Sequence, residues 1–237
     1  MAKQSGVFTP ETFKFFRDLS RNNRKEWMDA NRERYQQHVV EPFRMLLDRL
    51  GPVALRLNPH FDVSGRTGTN FSRINRDIRF ARDKSPYRPQ MYLLFSDERA
   101  QSRDASTPPG AGDGQLYVGL AAEAVTVGFR IYGERKSWLG RVAAPRTAEQ
   151  GKWLERQGRR LRRKYESYWY SSEKGEWTKN HGWPVSPDEW KRLRGWIVRR
   201  KMKPAAATKA GFPDDVARIF RELLPLYRFT SSAEWKP

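Results

Sequence analysis

The chain contains no cysteine, which excludes disulfide bonds, a thiol nucleophile and every zinc site built on thiolates. Histidine is nearly as scarce. His38, His60 and His181 lie far apart, with no His-Glu-x-x-His or other compact ligand spacing, so no metal site and no cofactor is expected. No Gly-x-Ser-x-Gly elbow, phosphate-binding P-loop or dinucleotide fingerprint occurs, which removes the most recognisable nucleophile and nucleotide-binding classes. No stretch of about 18 apolar residues is present, and Met1 to Gly6 lead into nothing resembling a signal segment. A cytoplasmic protein without a membrane span is the expectation. Acidic residues are few as well: 27 Asp and Glu stand against 46 Lys and Arg, a net charge of +19.

That excess of positive charge is the largest global signal. Summed basic groups generate a long-range field and release counterions from a phosphate backbone, so a polyanion is the partner class it favours. Aromatic residues, 13% of the 237, supply enough bulk for a core despite the polar balance. The length fits one domain, residues 1 to 237, with a flexible connection at about 97–114, where Pro108-Pro109-Gly110 and Gly112-Asp113-Gly114 cluster.

Helices bracket a β-rich centre. Thr9-Pro10-Glu11 is a helix start, with Phe13, Phe16 and Leu19 on one face. Asn23 with Glu26 predicts a second helix through Trp27, Tyr35 and Val39 to Leu50, kinked or divided at Pro42 and stopped by Gly51-Pro52. Residues 58 to 72 read as loop, and Gly65-Arg66-Thr67-Gly68 within them as a turn rather than a nucleic-acid backbone clamp. Gln90 to Ser96 reads as a strand, and Leu116–Ala121 with Val125–Tyr132 as a hairpin turning near Glu123. The last third predicts helices after Thr147 and after Ser186, the latter running through Trp190, Leu193, Trp196 and Ile197 to Pro204, and a final helix from Pro213 to about Pro225. The fold class is therefore α+β: an antiparallel sheet with an N-terminal helical hairpin and C-terminal helices packed around it.

The segment Ser72 to Arg88 carries the most information. Arg73, Arg76, Arg79 and Arg82 recur every third residue, followed by Lys84 and Arg88, with Asp77 and Asp83 as its acids. Arg73, Arg76, Arg79, Lys84 and Arg88 are candidate anion ligands, since grouped guanidinium ions grip phosphate or carboxylate in bidentate fashion. Asp77 or Asp83 as a base and Tyr87 as a proton donor would complete a catalytic set. Equally, the two aspartates can pair internally with the arginines while Ile74, Ile78 and Phe80 anchor the segment, in which case it is scaffold.

Arg76-Asp77-Ile78-Arg79-Phe80 followed by Asp83-Lys84-Ser85-Pro86-Tyr87 and a basic residue resembles the signature of an uncharacterised bacterial family, domain of unknown function 2461. The likeness extends over nearly the whole chain, through the Phe13–Trp27 opening with Asn22-Asn23, the hairpin at Tyr117–Tyr132 and the ending around Phe220–Leu226. It implies an α+β fold and no established activity. The chain departs from the pattern at Ala121 to Gly128, where a glycine-rich turn is expected, and in its Arg- and Trp-rich C-terminal third.

A second basic region runs from Lys152 to Lys203, where 16 Lys or Arg face 6 Asp or Glu, a net of +10, interspersed with six tryptophans. Basic grooves with stacking aromatics hold single-stranded nucleic acid, and Arg159, Arg160, Arg163, Lys164, Arg199 and Arg200 are the candidate contacts. The alternative is an amphipathic face, with Trp190, Leu193, Trp196 and Ile197 inward and the basic side chains solvated. Three functions follow as expectations: a binder of phosphate-bearing polyanions, nucleic acid first; an enzyme acting on an anionic small molecule at the Arg76–Arg88 segment; or an interaction scaffold exposing aromatics around Trp169–Trp183.

Overall fold

The computed structural model describes residues 6–79, 82–98, 114–132, 144–173, 176–231 and 235. Six strands form one sheet: β1 (Gln90–Phe95), β2 (Gly114–Ala121), β3 (Ala124–Tyr132), β4 (Glu166–Glu173), β5 (Glu176–His181) and β6 (Leu193–Met202). Their order is β1-β2-β3-β6-β4-β5, with every neighbouring pair antiparallel. Helices α1 (Pro10–Arg21), α2 (Lys25–Ala30), α3 (Arg32–Tyr35) and α4 (Glu41–Leu57) precede the sheet; α5 (Ala144–Leu161) and α6 (Pro187–Arg192) interrupt it, and α7 (Phe212–Ser231) closes the chain. The α+β class with N-terminal helices and a C-terminal helix against an antiparallel sheet is as expected. Most of the proposed connection at 97–114 lies outside the described residues. Among the described residues no helix is long and apolar enough to cross a membrane.

Period-two alternation divides the sheet into two faces. Met91, Leu93, Phe95, Leu116, Val118, Leu120, Val125, Val127, Phe129, Ile131, Trp196 and Val198 are all buried on the face that meets the helices. There Phe220 of α7 packs edge-on to Phe95 at 5.7 Å, and Trp190 of α6 packs edge-on to both Trp196 and Phe229. Trp196 is fully buried among Phe129, Trp183 and Trp190, with ring centroids 5.0 to 5.7 Å away. Truncating such a ring to alanine costs about 3–5 kcal/mol.

Several boundaries differ from the sequence expectation. Residues 193–202 form strand β6, not the continuation of a helix: the Ser186/Glu189 capping box exists, but α6 ends at Arg192. The spacing of Trp190, Leu193 and Trp196 suits a helix, yet Trp196-Ile197-Val198 is aromatic and β-branched, and pairing on both sides with β3 and β4 favours the strand. Residues 166–173 and 176–181, to which the sequence assigns no element, form the antiparallel pair β4 and β5. Gly51-Pro52 does not stop α4, which runs to Leu57, and α7 passes through Pro225 to Ser231. Burial of Ala54 beyond the first proline and of Leu226 and Phe229 beyond the second holds those helices against the local penalty. At Pro42 the preceding turn, Gln36–Val40, widens to π-helical geometry, which gives the proline ring room. Arg24, not Asn23, stands at the N-cap position of α2 and makes no side-chain capping bond, and the Asn23 side chain is engaged elsewhere. Helix α5 starts at Ala144, ahead of the expected Thr147 cap, and bends at Gln150.

Candidate functional site

The Ser72–Arg88 segment forms an excursion from the outer edge of β1. The Ser72 amide donates to the Tyr92 carbonyl at 3.0 Å, and the Tyr92 amide to Ser72 Oγ at 2.9 Å. Arg76 N–H donates to the Pro86 carbonyl and Arg88 N–H to the Ile74 carbonyl, both at 2.8 Å, so the two arms pair across the Asn75–Tyr87 bridge. Asn23 clamps the returning arm. Its Nδ2 donates to the Tyr87 carbonyl at 2.8 Å and its Oδ1 accepts from the Tyr87 amide at 3.0 Å, as a neighbouring strand would.

Inside the excursion, charges satisfy one another. Arg79 Nε and Nη2 donate to the two oxygens of Asp77 at 3.0 and 2.7 Å, and Arg76 pairs with Asp83, whose Oδ1 also accepts from the Ser85 amide at 2.9 Å. Lys84 Nζ donates to the Ile78 carbonyl at 3.0 Å. Asp77 and Arg79 are nevertheless 58% and 77% exposed. Hydrogen bonds from Arg79 hold the Asp77 carboxyl down at about 2, and bonds from Ser85, then Arg76, hold Asp83 below the ordinary carboxylate range. Tyr87 is buried, while Arg73 and Arg88 are exposed. Ile74 packs partly against the core, and Phe80 lies outside the described residues.

The second basic set divides between two layers. Arg159, Arg160, Arg163 and Lys164 are exposed on or just after α5, in the helical layer: Trp153 of the same helix stacks on Phe229 of α7 at 5.2 Å. Part of this charge is also taken up internally. Arg159 pairs with Glu155, Arg160 donates to the Glu222 carbonyl, and Lys164 approaches the Glu222 carboxylate, which also accepts from Tyr165. Arg199 and Arg200 are on β6, not on a helix, and being consecutive they point to opposite faces. Of the described aromatics from Trp169 to Trp183, Trp169 and Trp183 are buried, Tyr170 is half-buried against Trp177, and Trp177 is 54% exposed.

Arg199 leads to a site that the sequence reading did not identify, the sheet face away from the helices. Cross-strand register places Tyr92, Gly119, Thr126 and Lys201 in one row, and Leu94, Tyr117, Gly128, Arg199 and Glu166 in the next. A third row holds Gln115, Arg130, Ile197, Tyr168 and His181, and a fourth Tyr132, Gly195, Tyr170 and Lys179. Rings and cations thus interleave. The Arg130 guanidinium lies 5.1, 5.3 and 6.0 Å from the ring centroids of Tyr92, Tyr117 and Tyr132, and its Nε donates to Gln115 Oε1 at 2.8 Å. Tyr168 receives Lys179 Nζ at 4.1 Å and the Arg199 guanidinium at 5.1 Å, and Arg199 is also paired with Glu166.

Glycines make these rings lie down. A Cβ on Gly119 would meet Tyr92 Cε1 at 2.5 Å, and one on Gly195 would meet Tyr132 Cδ1 at 2.5 Å. Each tyrosine therefore rests on bare backbone across the strand gap. Burial raises the hydroxyls of Tyr117 and Tyr132 above the usual phenol value and pushes Tyr168 up to about 12, so these rings stay neutral at physiological pH. A concavity of about 180 Å³ opens where β1 begins, lined by Gln90, Tyr92, Gly119, Ala121, Ala124, Thr126, Arg199 and Lys201 among others. The Arg88 end of the excursion runs directly into it through Pro89 and Gln90. The half of this face made by β1 to β3 was legible from the alternation of the hairpin; the half made by β4 to β6 was not. Among the described residues no group of three or more His, Asp or Glu side chains is placed to hold a metal ion.

These features define an α+β protein whose six-stranded antiparallel sheet is covered by helices on one face and carries tyrosines and cations on the other. Residues 11–229 match the model of the family described as "Conserved hypothetical protein (DUF2461)", and the chain belongs to that family. None of the curated proteins matches the chain.

Proposed function

We propose that the protein binds a phosphate-bearing polymer, single-stranded nucleic acid, on the sheet face away from the helices. The observation that carries this reading is the interleaving of Arg130, Lys179, Arg199 and Lys201 with Tyr92, Tyr132, Tyr168 and Tyr170 on one surface. Stacked bases need flat apolar rings and the linking phosphates need cations between them, and this surface supplies both at strand spacing. A duplex hides its bases and would use only the cations. The catalytic alternative at Asp77, Asp83 and Tyr87 has less support. A general base works best with a pKa near the operating pH, and both carboxylates are instead held low, Asp77 by hydrogen bonds from Arg79 and Asp83 by those from Ser85 and then Arg76.

The test is fluorescence anisotropy with a labelled 12-nucleotide single strand and the matching duplex. Four phosphate-contacting cations predict a logarithmic salt slope of about −3, so affinity for the single strand should fall about 50-fold between 50 and 200 mM salt. The single strand should bind more tightly than the duplex. Equal or tighter duplex binding, or no binding at 50 mM salt, sinks the reading.

A further inference from the structure

We infer that the concavity over Gly119 is a one-nucleotide anchoring subsite, with a base against Tyr92 and the adjoining phosphate on Lys201 and Arg199; this deepens, and rests on, the single-strand reading above. At about 180 Å³ the space is below the roughly 300–1,000 Å³ of pockets that enclose a whole small ligand, so it suits one unit of a longer chain. Among the residues lining it are Gly119, Ala121 and Ala124, each with a methyl group or less. The Tyr92 ring closes one side, lying against Gly119. Two strands further across, β6 supplies exposed Lys201 and half-buried Arg199.

The polar groups at the rim divide by chemistry. The two cations are donors suited to a phosphate, and Arg199 exchanges its Glu166 partner for it. Gln90 presents an amide, which offers both a donor and an acceptor to a base edge. Thr126 Oγ1 donates to the Gly119 carbonyl at 3.4 Å, so this hydroxyl is already engaged at the rim. Strands β1 and β6 are about 14 Å apart, three interstrand spacings, a gap the long Lys and Arg side chains shorten to the reach of a nucleotide. The rest of the strand then continues over Arg130, Tyr168 and Lys179.

The experiment uses the full chain and a fluorescein-labelled 12-mer of deoxythymidine, with wild type, Tyr92→Leu, Lys201→Ala and Trp177→Ala compared at 50 mM salt. Circular dichroism melts verify that each variant is folded. Loss of one base stack predicts a five- to 150-fold weaker affinity for Tyr92→Leu, and Lys201→Ala should reduce the salt slope by about 0.7. Trp177→Ala, at the far end of the sheet, should have the smaller effect. If the wild type binds but Tyr92→Leu and Lys201→Ala do not weaken it while Trp177→Ala does, the subsite is overturned and the single-strand reading stands. If the wild type does not bind the 12-mer at all, both fall together.

Discussion

The Ser72–Arg88 excursion and the tyrosine-bearing sheet face are both rich in arginine, and they use it in opposite ways. In the excursion the nearest partners are carboxylates and carbonyls: Arg79 grips Asp77, Arg76 pairs with Asp83, and Lys84 donates to the Ile78 carbonyl. On the sheet face Arg130 is centred among three tyrosines and Lys179 lies on the Tyr168 ring, while Arg199 divides itself between that ring and the Glu166 carboxylate. A cation bound to a carboxylate has spent its charge, whereas one beside a neutral ring keeps it available to an incoming anion. Density of basic residues along a sequence therefore says little about a binding site until the partners are known.

The largest expected effect is at Asn23, which clamps the excursion. Asn23→Ala leaves the buried backbone groups of Tyr87 without their side-chain partner, which costs about 1–3 kcal/mol. A loss of about 2 kcal/mol should lower the midpoint of a thermal melt by about 4–8 °C, while binding of the 12-mer at low temperature stays within twofold. A large fall in binding would mean the excursion is part of the site.

A direct comparison comes from removing one positive charge from each region. Arg130→Ala should weaken 12-mer binding by about tenfold, worth about 1.4 kcal/mol, and Arg76→Ala by less than twofold in the same titration. Equal losses would show that total charge, not the arrangement on the sheet, governs binding.

The smallest effect is on acid stability. Asp77 and Asp83 have folded pKa values below their unfolded ones, so their contribution is complete above about pH 4 and disappears as pH falls through the folded values. Both are exposed, so replacing Asp77 with Asn should barely change a denaturant midpoint at pH 7 or its decline toward pH 2. Asp62 is the contrasting case. Burial opposes its charge, but hydrogen bonds from Ser64 and the pair with Arg66 outweigh that and hold its pKa below the ordinary value. Asp62→Asn should lower the midpoint at pH 7 and flatten the acid decline; unchanged behaviour would show that this buried loop carries no acid-linked stability.

Legibility in the sequence followed the range of the deciding interactions. The Thr9 start of α1, the β2–β3 hairpin and the Ser186/Glu189 cap were readable because residues within a few positions settle them. The ion pairs of Asp77 and Asp83 were foreseen as one of two alternatives for the same reason, since their partners are two and seven residues away. Strand β6 was misread because Trp190, Leu193 and Trp196 fit a helical stripe locally, and only pairing with β3, some 70 residues earlier, makes it a strand. Asn23 looked like a helix cap until Tyr87, 64 residues on, claimed its amide.

By itself the sequence determined the family, the α+β class, the excess of positive charge and the absence of thiolate chemistry, because each depends on composition or on short, contiguous patterns. Only the tertiary structure decided which cations share a surface. It separated Arg199 from Arg200 and from the α5 arginines, and it brought Tyr92, Arg130, Tyr168 and Lys179 from four strands onto one face. The physical reason is the pleat: a strand sends successive side chains to opposite sides, so a surface is assembled across the sheet from residues that no stretch of sequence holds together.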